Sequence, residues 1–253
     1  MAALAMLNAY AAKKPGKGTD AIRVVDLRTE RMTAPLSINT PTPRLGWRIE
    51  SGKKNVMQTS CRIIVASTYE KAMAGEGDLW DTTISGDQSQ WVNYAGKQLR
   101  SNTPCYWRVK VATTQGESAW SDVQMWNIGL LTESDWSGQW IGFDAAKPWD
   151  KEEIHSQLSS RYIRKEFKLY KKVRRATLYI SGLGMYEAFI NGRKVGDQVL
   201  APAPTDYRKT VLYNAFDVTS QKMPSVWRSA TDATTPCSKR RNHTRLQTSA
   251  TLS

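Results

Sequence analysis

Apolar and polar residues alternate in short runs along much of the chain, and Gly, Ser, Asn and Asp separate the runs. The segments Ile22–Leu27, Leu45–Ile49 and Cys61–Ala66 follow this pattern, which is typical of half-buried β-strands. Only Tyr69–Ala74 has a helical spacing. Strands at this spacing predict a seven-strand β-sandwich of immunoglobulin or fibronectin III type over residues 22–131.

The tryptophans of this region have two possible roles. Trp47 and Trp107 could be sugar-stacking platforms, but their strand neighbours alternate between apolar and charged residues. In Pro104–Val111, for example, Trp107 and Val109 share one face while Arg108 lies on the other. The alternation favours packing in the core.

A second series of strand-like runs begins after residue 160. Tyr162–Leu169, Arg175–Gly182 and Met185–Ile190 are three of them, and the last ends at Asn191-Gly192. Asn-Gly is favoured in two-residue hairpins because both central positions need positive φ. The pattern predicts the opening half of a β-jelly roll.

The predicted chain is therefore all-β, an immunoglobulin or fibronectin III-like sandwich followed by an incomplete jelly roll and a disordered C-terminal tail. The predicted segments are a leader and linker (1–21), the sandwich (22–131), a junction (132–159), the partial jelly roll (160–221) and a basic tail (222–253).

Charge has limited weight in this picture. The formal net charge is +13, which by itself would suggest a nucleic acid partner. However, residues 222–253 carry six Lys or Arg against Asp232 alone, and residues 1–20 carry three Lys against Asp20. About half of the excess therefore lies outside the predicted domains, and we expect no nucleic acid partner.

Cysteine and histidine do not form a metal-binding pattern. The three cysteines include no C-x-x-C pair and the chain has two histidines, so no zinc-ligand spacing exists. We expect no metal site and no cofactor. Cys61 and Cys105 could form a disulfide if their strands were neighbours, but buried free thiols are the favoured interpretation.

The N-terminus carries part of a secretory pattern. Ala2–Leu7 is a short apolar run, and Ala9–Ala11 has the A-x-A form read by signal peptidase. No basic residue precedes the run, so either the true start lies upstream or the segment is a leader remnant. No stretch approaches the ~20 apolar residues of a membrane span.

Several motifs in order resemble bacterial α-L-rhamnosidases, which are glycoside hydrolases. They match the N-terminal sandwich, the junction and the start of the N-terminal jelly-roll domain of that family. The motifs are Asp26–Glu30, Pro43–Trp47, Tyr106–Val111, Trp136–Gly142, Gly182–Glu187, Ile190–Gly196 and Thr205–Lys209.

The resemblance implies a parent enzyme that is secreted or periplasmic and hydrolyses terminal α-L-rhamnose. Its catalytic acids would lie in a downstream helical barrel, so we predict no catalytic residue in this chain. The missing barrel and a rhamnose-containing glycan are the implied partners. Asn191, Asp206 and Tyr207 are candidate sugar contacts. Glu187 and Asp197 are expected on turns and sheet faces. The alternative is a stand-alone adhesion or protein-interaction module.

The resemblance stops near Gln221. Residues 222–253 show no strand alternation, but another reading frame with permitted codons gives the strings NAIGVALGNGRYYTMQQ and NFGYPK, which resemble the absent jelly-roll strands. We therefore expect a truncated, frameshifted sequence, and a native disordered basic tail is the alternative.

Overall fold

The computed structural model describes residues 20–142, 161–168, 173–221, 226–234 and 245–252. The chain divides into two compact units, one ending at Ile128 and the other beginning at Gly129. The described residues are mostly strand, with one short α-helix. The all-β prediction is confirmed.

The first unit contains two antiparallel sheets. One has the order β1-β2-β5, and the other has the order β4-β3-β6-β7, with β8 also paired to β6. The strands are β1 (Arg23–Thr29), β2 (Arg44–Glu50), β3 (Gln58–Ala66), β4 (Trp80–Ser85), β5 (Val92–Asn93), β6 (Pro104–Thr113), β7 (Gly116–Glu117) and β8 (Gln124–Asn127). The predicted sandwich strands over β1, β2, β3 and β6 are confirmed, whereas β4 and β5 were missed.

Tryptophans form the centre of the first unit. Trp47, Trp107 and Trp126 are all completely buried, and the rings of Trp107 and Trp126 meet edge to face with centroids 6.2 Å apart. Because inward residues of β6 alternate with those of the opposite face, the tryptophan face packs inside while Arg108 lies on the other face, where it is partly buried. The prediction that Trp47 and Trp107 belong to the core is confirmed.

One helix, α1 (Tyr69–Ala74), packs beside β3 and β6. Thr68 caps its N-terminus and Gly75, with φ 84°, ends it in the left-handed conformation. Asp78 fastens the loop that follows. Its carboxylate accepts hydrogen bonds from the Ser67 amide at 2.8 Å and from Lys71 Nζ at 2.6 Å. The helix is therefore held at both ends.

The two described cysteines are free and buried. Cys61 lies opposite Val111 on β6, six residues from Cys105 on the same strand, so the two thiols are roughly 20 Å apart along the sheet. A disulfide is geometrically impossible at that distance, and the free-thiol interpretation is confirmed. Burial raises the pKa of Cys61 to about 11 and that of Cys105 to about 12.

The second unit contains two four-stranded sheets with the orders β10-β15-β12-β13 and β14-β11-β16-β9. A 3-10 turn (Glu133–Asp135) precedes them. The strands are β9 (Trp140–Gly142), β10 (Arg161–Lys168), β11 (Ala176–Gly182), β12 (Met185–Ile190), β13 (Arg193–Lys194), β14 (Tyr213–Asp217), β15 (Val226–Thr234) and β16 (Arg245–Leu252).

Side chains of β11 and β12 build the core of the second unit. Leu178, Ile180, Tyr186 and Ile190 are buried together in one apolar cluster. All seven residues of β11 are buried, and β14 and β16 pair with it on both sides. β11 is thus the central strand of its sheet.

The structure differs from the expected disorder at the C-terminus. β15 lies between β10 and β12, and β16 lies between β11 and β9. Each of these two strands therefore has main-chain partners on both sides. Such hydrogen bonds do not depend on side-chain alternation, so a segment without that pattern can still be a strand. Side-chain alternation alone does not reveal strands of this kind.

No helix within the described ranges is long and apolar enough to cross a membrane. The leader-like segments Ala2–Leu7 and Ala9–Ala11 lie outside the described residues, so the signal-peptide interpretation stays a prediction.

Candidate functional site

The first predicted sugar contact, Asn191, lies in the tight turn between β12 and β13. Asn191 and Gly192 have φ values of 52° and 78°, and the two strands pair directly on either side of them. This is the turn that the Asn-Gly dipeptide predicted. The turn geometry accounts for the residue type, and sugar contact by Asn191 stays a prediction.

Asp206 and Tyr207 lie together in a second turn. The Asp206 carbonyl accepts hydrogen bonds from the amides of Lys209 and Thr210, and its carboxylate accepts two from the Arg208 guanidinium, at 2.9 and 3.1 Å. These hydrogen bonds from Arg208 hold the pKa of Asp206 below its usual value. Asp206 therefore stays charged and pairs with its own turn.

Two carboxylates of the second unit, Glu187 and Asp206, are engaged by basic neighbours. Glu187 Oε1 lies 2.5 Å from Lys194 Nζ across the β12–β13 hairpin, and Asp206 pairs with Arg208. Inverting hydrolysis needs two carboxyl groups about 6.5–9.5 Å apart on opposite sides of a sugar, one of them protonated. Ion-paired carboxylates on a hairpin and a turn fit a structural role instead.

A polar chain anchors the loop next to these turns. Tyr186 Oη donates to Asn214 Oδ1 at 2.7 Å, and Asn214 Nδ2 donates to Gln198 Oε1 at 2.9 Å. Burial raises the pKa of Tyr186, so its hydroxyl stays a donor. The same loop leaves Val199 and Leu200 exposed, at 76% and 67%. These hydrogen bonds therefore fix the loop, while its two apolar side chains, Val199 and Leu200, are exposed to solvent.

The Trp136 motif serves packing within the second unit. The rings of Trp136 and Tyr213 meet edge to face at 5.4 Å, and Tyr179 contacts Tyr213 in the same way at 6.0 Å. The Leu130 amide donates to Tyr213 Oη at 3.1 Å. These contacts fasten the junction segment to β11 and β14.

Sequence reasoning missed a surface cluster in the first unit. The guanidinium carbons of Arg31 and Arg44 lie 4.2 and 4.4 Å from the ring centroid of Trp91, and Glu30 pairs with Arg44. We call Trp91, Arg31, Arg44 and Glu30 the Trp91 cluster. Glu30 and Arg31 are adjacent, but Arg44 and Trp91 are distant in the sequence, and the pairing of β1, β2 and β5 brings them together.

The fold thus defines a class of protein, a tandem of two β-sandwich units. Comparison with known proteins identifies the family within that class. Residues 24–132 match the family described as "Rha78A-like, N-terminal immunoglobulin domain". Residues 171–225 match the "Alpha-L-rhamnosidase N-terminal domain". The chain carries the N-terminal domains of the α-L-rhamnosidase family.

Curated relatives of the chain are named alpha-L-rhamnosidases. An alpha-L-rhamnosidase of Formosa agariphila is 34% identical over 203 residues, which are 74% of this chain and 21% of the relative. One from Streptomyces avermitilis is 28% identical and is matched over 78% of this chain and 20% of its own length. The chain spans about a fifth of the length of these relatives.

Solved structures agree with the fold. The alpha-L-rhamnosidase from Dictyoglumus thermophilum superposes with a TM-score of 0.82 at 28% identity, over 93% of this chain and 28% of that one. The enzyme from Aspergillus terreus, at 24% identity, matches with a TM-score of 0.76 over 92% of this chain and 27% of its own. The second likeness shows the fold alone.

Proposed function

We propose that this chain is the non-catalytic N-terminal part of an α-L-rhamnosidase-like glycoside hydrolase that removes terminal α-L-rhamnose from glycans. The observation that carries the proposal is the order of the two matched domains, residues 24–132 and then 171–225. The ion-paired carboxylates Glu187 and Asp206 support a structural role for this region. The parent enzyme would be secreted or periplasmic, as its resemblance implies.

Within that enzyme, the two units act as accessory domains and the downstream catalytic barrel is their partner. This assignment predicts that the chain has no hydrolytic activity of its own. It also predicts that the chain can replace the corresponding N-terminal region of a relative. A protein-interaction module of the alternative kind would fail in that replacement.

The test uses two proteins, the chain alone and a chimera in which it replaces the N-terminal region of the Formosa agariphila relative. We expect no turnover of an aryl α-L-rhamnoside by the chain alone and clear turnover by the chimera. A relative lacking the region altogether is the control. Saturable turnover by the chain alone, or a chimera no better than the truncated control, would contradict the proposal.

Sugar contact by the second unit has its own test. Asn191→Gly keeps the positive φ of the turn but removes the amide, so a loss of L-rhamnose affinity in calorimetry would come from the side chain. Asn55→Gly is the matched control, because Asn55 has φ 55° in the first unit. Equal affinities in both variants would exclude Asn191 as a contact. Protein binding without any rhamnose affinity would favour the interaction module.

A further inference from the structure

The Trp91 cluster is built on an uncommon backbone. Trp91, Arg31 and Glu30 have φ values of 59°, 64° and 51°, in the left-handed region that non-glycine residues rarely adopt. A bulky residue such as Trp is a clear outlier there. Backbone strain of this kind persists only where the surrounding structure enforces it, and it concentrates at ligand-binding positions.

Glutamine side chains enforce the conformation of the loop that leads to Trp91. Buried Gln58 donates to the carbonyls of Gly86 and Gln88, at 3.1 and 3.0 Å. Gln88 donates to the Trp91 carbonyl at 3.3 Å, and Gln90 donates to a β2 carbonyl at 2.7 Å. The loop is therefore fixed before any ligand arrives.

Gly46 makes room for this arrangement. A Cβ atom at Gly46 would lie 2.8 Å from Gln90 Oε1, closer than real Cβ contacts allow. A larger residue at this position on β2 would therefore require the Gln90 side chain to move.

The two arginines of the cluster differ in their counterions. Arg44 donates to both carboxylate oxygens of Glu30, from Nε to Oε1 at 3.2 Å and from Nη2 to Oε2 at 2.6 Å. Among the described residues, the Arg31 guanidinium contacts the Trp91 ring and makes no hydrogen bond or ion pair. Arg31 and Trp91 are both exposed, Trp91 at 43%. The cluster thus carries one uncompensated positive charge beside an accessible aromatic ring.

We propose that the Trp91 cluster binds an acidic sugar, with its carboxylate or sulfate accepting hydrogen bonds from Arg31. A guanidinium presents paired donors that match the geometry of such oxyanions. Stacking on Trp91 orients Arg31, and the Glu30–Arg44 pair keeps the second guanidinium in place. The choice of a sugar as ligand rests on the proposed function, whereas the site for an anion follows from the cluster.

The first unit also supplies a matched control. Arg108 lies 4.7 Å from the ring centroid of Trp120, and Arg62 near the same ring pairs with Asp81. Arg108 is partly buried, with its Nε atom fully enclosed and without a hydrogen-bond partner in the described structure. Replacing Arg108 removes the same charge as replacing Arg31. Arg108 also stacks on a tryptophan but is less accessible to solvent than Arg31.

The experiment titrates the full chain with D-glucuronate, D-glucose 6-sulfate and neutral D-glucose, and follows the indole N–H resonance of Trp91, assigned through Trp91→Phe. We expect saturable shifts with at least one acidic sugar, and affinity at least about tenfold above that for glucose. Arg31→Gln should abolish this preference, while Arg108→Gln should retain it. The two acidic sugars distinguish carboxylate from sulfate recognition.

Three results would overturn the inference: no saturable shift with either acidic sugar, equal affinity for glucose, or an equal loss in Arg108→Gln. If Trp91→Phe does not fold, Arg31→Gln and the comparison of sugars still decide, because Arg31 is exposed. Activity of the chimera does not depend on Arg31. A working chimera without anion binding would therefore refute this inference and leave the proposed function intact.

Discussion

Asp78→Asn should destabilise the first unit in a pH-dependent manner. Burial alone would raise the pKa of Asp78, but hydrogen bonds from Lys71 and Ser67 outweigh it and lower the pKa from 3.8 to about 2. A difference of that size corresponds to about 2.4 kcal/mol at neutral pH. The Asp78 side chain is 30% exposed, and solvent screening reduces this to about 1–2 kcal/mol.

The direction of the pH effect follows from the depressed pKa of Asp78. Its stabilisation is fully present above the unfolded value of 3.8 and is lost as the pH falls through the folded value of about 2. About half should remain at pH 3. The difference in unfolding free energy between the wild type and Asp78→Asn should therefore be largest near pH 7 and shrink steadily below pH 4.

Urea unfolding at pH 7, 5, 4 and 3 measures this difference, and hydrogen exchange of the Ser67 amide reports on the site itself. Asp81→Asn is the control, since Asp81 and Arg62 form an exposed pair, 39% and 48% accessible, typically worth about 0.2–1 kcal/mol. A difference for Asp78→Asn that is absent at pH 7, or constant down to pH 3, would refute the reasoning.

Two further predictions test other parts of the structure. Cys61 and Cys105 should resist thiol reagents in the native protein and react only on unfolding, because burial raises both pKa values to about 11 and 12; rapid native labelling would contradict this. Gly196→Ala should lower the free energy of unfolding by about 1–3 kcal/mol, as measured by thermal or urea unfolding, since the new Cβ would lie 2.4 Å from Cε1 of Phe216. Gly192→Ala, with open space around it, should cost only about 1 kcal/mol, and equal losses would refute the steric argument.

Much of the fold could be predicted from side-chain alternation. β6 has clear inward and outward faces, and the Asn191-Gly192 turn has a local chemical signature. β4 was missed, because Trp80–Ser85 has few apolar residues and its burial pattern became evident only beside β3. β15 and β16 were missed for a related reason, since their pairing depends on neighbouring strands and not on their own pattern.

The surface chemistry was harder to predict. Asp206 and Tyr207 were candidates because they are polar loop residues. Local hydrogen bonds within the turn of Asp206 account for a polar residue at that position. The Trp91 cluster joins positions 30, 31, 44 and 91, whose proximity depends on strand order and on three left-handed residues. Neither the strand order nor these left-handed conformations can be predicted from one sequence, because positive φ at Trp or Arg has no compositional signal.

The position of β16 also bears on how the protein is made. β16 pairs with β9 through Gly142 and Arg245, about a hundred residues apart, and with β11, so one sheet of the second unit closes only after residues 245–252 have been synthesised. The first unit has its pairing partners within residues 23–127, and domains generally fold in order from the N-terminus. In a nascent chain, the first unit would thus be folded while the edges of β9 and β11 that pair with β16 are still unpaired. That interval is when a chaperone, or another copy of the chain, could pair with them.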